Sequence, residues 1–392
     1  MNPRNSTKQN PYALKFVNRL PPGTDEPEQL RENPRLPRSC PSVDQPFPDW
    51  PPPQERSGKW ISKYLDQLDP EIHYDQIIRT AGLFYGSDFS TALGYAAVFC
   101  MLTQTPAGAV ATHGGGKIIR RGHQRYYETQ LMNLHWMFYG SSAPETIKYI
   151  NQVNKIHSAI WKRFPGTYSF PWEAQMAIIG LSYFETWVRK TVGARVAEAH
   201  PRIQEAYPAW GESLTAHFVT EPTDGTRSMG INYPRDWSEA VKFFYWFDDF
   251  PYEDQTTPEQ RQQGHETAEA FIAQFCDLWF PGPLKVIGRH VLLTFIPPGC
   301  RRRQQLGEPN RVISGLTKLT LKVGIDIQDA FGSDPIEPPM VAFRDMLLNK
   351  DLTKVDQEVK EGRDWRSKII VCVLCGSMFV ALAVKLSEKR IE

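Results

Sequence analysis

A chain of 392 residues with 45 Lys and Arg against 44 Asp and Glu carries a formal charge of +1, which argues against a nucleic-acid binder driven by phosphate contacts. A hydrophobic share of 41% suffices for a substantial core, and a helical enzyme of this length is often a single domain. The six cysteines (Cys40, Cys100, Cys276, Cys300, Cys372, Cys375) show no disulfide-framework spacing, so a reducing, cytosol-facing location is expected.

Residues 1–58 are rich in proline and charge and end on Phe47-Pro-Asp-Trp-Pro-Pro-Pro-Gln54. They show no apolar signal region and read as a disordered or extended arm. From Trp60 the pattern turns helical, and a mainly α domain is expected over residues 59–330. Asp69 to Ile78 has a cap-like start and an i, i+4 apolar trace. Ser90 to Gln104 is a helix of small residues suited to close packing. His113-Gly-Gly-Gly116 reads as a flexible turn, without the strand or Gly-Lys-Ser/Thr of a phosphate loop.

Two long helices are predicted next, the first carrying Arg125-Tyr-Tyr-Glu-Thr129 and reaching Tyr139, the second running from Thr146 to Phe164. The break Gly140-Ser-Ser-Ala-Pro144 is a turn, with Pro144 suited to the first helical turn and Ser142 a candidate cap. So short a connection makes the pair antiparallel. At ~1.5 Å per residue Thr129 and His157 are then level to within about one turn, while Arg125 and Thr129 share a face. The apolar stripe Ile150, Val153, Ile156, Ile160, Phe164 puts His157 toward the buried side. Spacing alone leaves it open whether His157 is a core histidine with satisfied nitrogens, or a ligand or acid–base group.

Trp172 to Val192 is apolar on one side and should pack against the central pair. Pro201 to Asp236 reads as interrupted, Asp236 to Phe247 as an aromatic helix, and Thr257 to Trp279 as a helix with a Thr-Pro start. Leu284 to Phe295 is a further apolar helix. Arg301-Arg-Arg303 reads as a solvated helix start or a contact for haem propionates or lipid headgroups. Asn310 to Ala330 mixes two periodicities. Residues 331–367 read as a linker. The uncharged run 369–384, bracketed by Lys368 and Lys385, spans ~24 Å as a helix against a ~30 Å hydrocarbon core. Snorkelling lysines and Leu386 close that gap, so 368–386 is expected to be a C-terminal transmembrane tail anchor, with a buried terminal helix as the alternative. Cys372-x-x-Cys375 lies inside this run and suits lipid burial or palmitoylation better than zinc.

The central pair resembles the catalytic core of the latex-clearing (rubber oxygenase) family and of the related fungal ER-bound oxygenases of mycophenolic acid biosynthesis. Gly115-Gly116-Lys117-Ile118, Arg125 with Thr129, and Ile156-His157-Ser158 fill the family's slots. A weaker likeness continues through Trp172-Glu-Ala-Gln-Met176 and Trp279-Phe-Pro281 to Pro297. The resemblance implies a b-type haem with His157 as its axial iron ligand, Arg125 and Thr129 near dioxygen as co-substrate, and an apolar substrate such as a prenyl chain cleaved at a C=C bond. It also implies a membrane-bound enzyme of the endoplasmic reticulum; the fungal oxygenases carry an N-terminal anchor, whereas the tail anchor expected here places the catalytic domain in the cytosol.

Two departures stand out. Where rubber-cleaving members have lysine before the threonine, this chain has Glu128. It also has no acid between Phe89 and Tyr127 to match their upstream glutamate. Glu128 is therefore expected either to share the acid–base work or to pair on the surface with Arg121 or Arg125, and polyisoprene cleavage is not carried over. His113, His123 and His135 are the other candidate iron ligands. The alternatives are a membrane-associated protein of the same fold without catalytic haem, and a non-haem iron enzyme using His113, His123 or His157.

Overall fold

Side-chain caps fix where several helices begin. Ser87 with Ser90 and Thr257 with Gln260 form reciprocal capping boxes, and Asp236 and Asn310 accept from backbone N–H groups of the turns they open. The structure, a computed structural model, describes residues 37–38, 47–168, 171–220, 227–280 and 282–362. The expected tail anchor at 368–386, with Cys372 and Cys375, lies outside the described residues, as do Cys40 and most of the Pro-rich arm.

The described chain is mainly α, as expected. In order come α1 (Trp60–Leu65), α2 (Tyr74–Tyr85), α3 (Asp88–Leu102), α4 (Pro106–Gly115), α5 (Lys117–Arg120), α6 (Gly122–Tyr139), α7 (Pro144–Arg163) and α8 (Pro171–Val192). After these come α9 (Pro201–Thr215), α10 (Trp237–Asp249), α11 (Pro258–Trp279), α12 (Lys285–Phe295), α13 (Pro298–Arg303), α14 (Arg311–Phe331), α15 (Pro339–Leu348) and α16 (Val355–Lys360). Among the described residues the strands are two short ones, Val219–Thr220 and Arg227–Ser228, paired antiparallel.

The core is built around α3, which packs against α8 on one side and α11 on the other, while α11 also touches α4, α6 and α12. Small residues bring α3 and α8 close. A Cβ on Gly180 would lie 2.8 Å from Val98, and one on Gly94 would lie 3.2 Å from the Phe184 ring. Aromatic side chains fill the rest, with Tyr95, Tyr126, Phe243, Phe247 and Phe271 fully buried.

Several expectations change. His113, Gly114 and Gly115 belong to α4 rather than to a flexible turn, and the break comes at Gly116, whose φ of +61° a residue with a Cβ seldom adopts. A Cβ on Gly114 would sit 2.3 Å from the Phe164 ring, so that glycine permits contact between α4 and α7. The stretch after Pro201 is not interrupted at its start. Pro208 sits inside α9, and the hydrogen bond it removes is offset by burial of every residue from Ala206 to Thr215.

The arm is docked where described: the Trp50 indole N–H donates to Thr80 Oγ1 at 2.9 Å, and the Arg79 guanidinium lies 4.3 Å from the Trp50 ring centre. Residues 331–362, read as linker, carry α15 and α16, both seated on α6. Asp356 of α16 accepts from the backbone N–H groups of His123 (3.0 Å) and Gln124 (3.2 Å), capping α6, whose own N-cap, Arg121, makes no side-chain bond. The described body therefore continues well past residue 330.

The arginine run does not stand in solvent as a group. Arg301 donates to the carbonyls of Leu293 and Ile296 and pairs with Glu308, while Arg303 donates to the Asp248 carbonyl and pairs with Glu253. These guanidiniums tie α13 to its neighbours. Among the described residues no single helix is long and apolar enough to cross a membrane.

Candidate functional site

The turn at 140–143 places α7 against α6. Pro144 takes the first helical position, but the cap residue is Ala143, with no side-chain bond. Ser142 is instead buried, sharing a hydrogen bond with Ser213 (2.7 Å) and one with His217 Nε2 (3.0 Å), which fastens the turn to α9. On α7, Ile150 and Val153 are buried while Ile156 is 57% exposed. Ile156 lies about 100° around the helix from His157, whereas Ile150, Val153, Trp161 and Phe164 fall within about 60° of it. His157 thus sits at the middle of the inward arc.

The His157 ring lies flat on Tyr168, with ring centres 3.8 Å apart and planes inclined by 8°. Tyr168 follows the end of α7 and holds a left-handed φ of +55°, a backbone state unusual for an aromatic residue. The imidazole Nδ1 is buried and has no hydrogen-bond partner among the described residues. Desolvation first, and the nearby Arg125 charge second, push its pKa down to about 3. The ring is therefore neutral at physiological pH, the form in which imidazole binds a metal.

Arg125 and Thr129 converge on Tyr95, a fully buried residue of α3. Arg125 Nη1 donates to the Tyr95 hydroxyl, and Thr129 also reaches that hydroxyl. The Thr129 hydroxyl donates to the Arg125 carbonyl at 2.9 Å. The guanidinium lies over aromatic faces, 4.6 Å from the Phe99 ring centre and 5.0 Å from that of Phe271, so among the described residues its charge is held by cation–π contacts rather than a carboxylate. Glu128 stands apart: it bonds Lys117 and accepts from Gln124 Nε2 at 2.8 Å, with its side chain 37% exposed. Its partners are thus not the expected Arg121 or Arg125.

The other histidines are engaged elsewhere. His113 Nε2 meets Glu266 Oε2 at 2.9 Å near the surface. His135 bonds the Leu131 carbonyl at 2.7 Å and packs on Tyr149. The His123 backbone is held by Asp356. Among the described residues no group of three His, Cys, Asp or Glu is gathered as a metal site, whereas an axial haem ligand needs a single imidazole.

The sequence reading missed Glu173, in the first turn of α8. Both carboxylate oxygens are buried without a hydrogen bond of ordinary geometry among the described residues. Desolvation pushes its pKa up to about 8, only partly opposed by the Tyr168 backbone N–H. Its charge is felt at Tyr168, as is that of Arg125, and burial raises the Tyr168 phenol above its ordinary value. Arg125, His157, Tyr168 and Glu173 therefore form one electrostatically linked interior cluster. In sequence Glu173 resembles any first-turn acid complementing a helix dipole; only its burial marks it.

No family model matches the chain, and no curated protein matches it.

Proposed function

We propose that the chain is a haem b-dependent oxygenase acting on an apolar substrate, with oxidative C=C cleavage of a prenyl chain as the leading reaction. The observation that carries this reading is the neutral His157 imidazole, held flat against Tyr168, whose buried Nδ1 has no hydrogen-bond partner among the described residues. A stacking partner covers the face of an imidazole, whereas a metal binds in the ring plane, so the stack orients the ligand without blocking it. The residues fit the group: His157 would hold the haem, and the haem would supply the dioxygen and electron chemistry that side chains lack.

The chain's own residues do the rest. Tyr168 positions the imidazole. The Arg125 guanidinium, fixed by Tyr95, presents positive charge in a site of low polarity, where it stabilises developing negative charge more strongly than in water. Thr129 helps hold that arrangement through Tyr95. Glu173 keeps its proton to near neutral pH and takes the acid–base role that the resemblance left vacant, leaving Glu128 to its surface pairing with Lys117. The Tyr95, Phe99 and Phe271 rings around the guanidinium keep its surroundings apolar, which would favour an apolar substrate. The run 368–386 would anchor the enzyme in the endoplasmic reticulum membrane with this domain on the cytosolic side, close to a substrate dissolved in the bilayer.

The test is the haem content of the purified full chain beside His157→Ala. The account expects about one haem per chain in the first and a loss of about tenfold in the second, since an axial ligand supplies much of haem retention. Equal haem in both would remove His157 from the role.

A further inference from the structure

Helix α14 is apolar on two sides. Toward the body, Ile313, Leu321 and Ile325 pack on the core, where α14 meets α8 and α12. A second set, Val312, Leu316, Leu319, Val323 and Ile327, falls within an arc of about 80° opposite Leu321 and Ile325, with Leu319 and Val323 half-buried. Val312 is 69% exposed, Leu316 45% and Ile327 50%, and Phe331 at the helix end is 85% exposed. The charged residues of α14 all lie outside this arc. A surface helix ordinarily presents polar side chains outward, and a contiguous apolar stripe marks a binding face.

One flank of the stripe carries cations. Lys322 pairs with Asp326 at 2.6 Å. Arg311 and Lys318 have no ion pair among the described residues and line, with Ser314, an open pocket of about 400 Å³. The one acid in that lining, Glu308, is already paired with Arg301. Apolar side chains beside unanswered cations are the two halves of an interfacial membrane helix.

We propose that α14 lies in the surface of a phospholipid bilayer, its outer stripe at the acyl-chain boundary and lipid phosphates on Arg311 and Lys318. Charge decides among the occupants. The apolar run 369–384 contains no acid to meet the two cations. An anionic leaflet satisfies both halves. Residues 363–368, the chain between Gly362 and that run, reach about 25 Å when extended. A tail in the bilayer would therefore keep the body at the membrane surface. The α14 inference does not require that tail, and the experiment separates the two.

The experiment uses the full chain on vesicles of phosphatidylcholine with about one third phosphatidylserine and brominated acyl chains. A genetically encoded environment-sensitive fluorophore replaces Ile327, with a control at Lys148, which is exposed on α7. Brominated lipid should quench the probe at 327 by about twofold or more and leave the probe at 148 unchanged. Arg311→Glu with Lys318→Glu should weaken partition of α14 to the vesicles by about tenfold, read as lost quenching at 327. Equal response at 327 and 148 would overturn the inference. So would a probe at 327 already shielded in detergent and indifferent to brominated lipid, the signature of a protein occupant. Extraction at alkaline pH reports on the tail separately: a chain that is extracted yet quenched at 327 sinks the anchor and keeps the α14 contact.

Discussion

Replacing Glu173 by Gln isolates the least satisfied group of the cluster. Its carboxyl is raised from an ordinary 4.5 to about 8, chiefly by burial. The folded chain therefore keeps a proton between those values that the unfolded chain has released. Stability falls as pH rises through this window; the penalty is absent below about pH 4.5 and fully present above about pH 8. At ~1.4 kcal/mol per pH unit the ceiling is roughly 5 kcal/mol. Relaxation and water entry around an ionised buried group should cut this to about 2–3 kcal/mol.

Glu173→Gln has the same shape without the titration. In urea unfolding of the full chain in a mild detergent, the variant should match the wild type near pH 4.5 and exceed it by about 2–3 kcal/mol at pH 8.5. His157 gives stability the opposite slope: its depressed folded pKa means stability is lost as pH falls below the ordinary imidazole range toward about 3. That contribution is common to both proteins and cancels in the comparison. A difference between them that stays constant to within about 0.5 kcal/mol across the range would refute the claim that Glu173 is buried without a charged partner.

Two further outcomes test the frame around the site. Gly114→Ala drives a methyl to within 2.3 Å of the Phe164 ring and should cost about 1–3 kcal/mol in urea unfolding, with haem retention falling as α4 is pushed from α7. Thr257→Ala removes the hydroxyl that accepts from Gln260 N at 3.2 Å and should cost about 1 kcal/mol while leaving haem content unchanged.

Periodicity and capping made much of the helical frame legible. The Thr257-Pro start placed α11 to within a residue, and the small residues of α3 announced the close approach that Gly94 and Gly180 now show. At α14 the pattern could not tell which apolar side chains face the body, since the stripe from Val312 to Ile327 points outward while Leu321 and Ile325 pack inward. His113–Gly115 read as a turn because glycine is intrinsically poor in helices, yet Gly114 is spent on contact with Phe164. At the site, the inward direction of His157 was visible in α7. Tyr95, Tyr168 and Glu173 were not, since a ring stacked from a left-handed residue and a buried carboxyl met only by a backbone N–H exist only once the chain is folded.

Hemin titration of the metal-free full chain under reducing conditions, followed by absorbance in the Soret region, tests the central claim most directly. The account predicts a saturating Soret band at about one hemin per chain, lost in His157→Ala. A wild-type chain that gains no Soret band would contradict it.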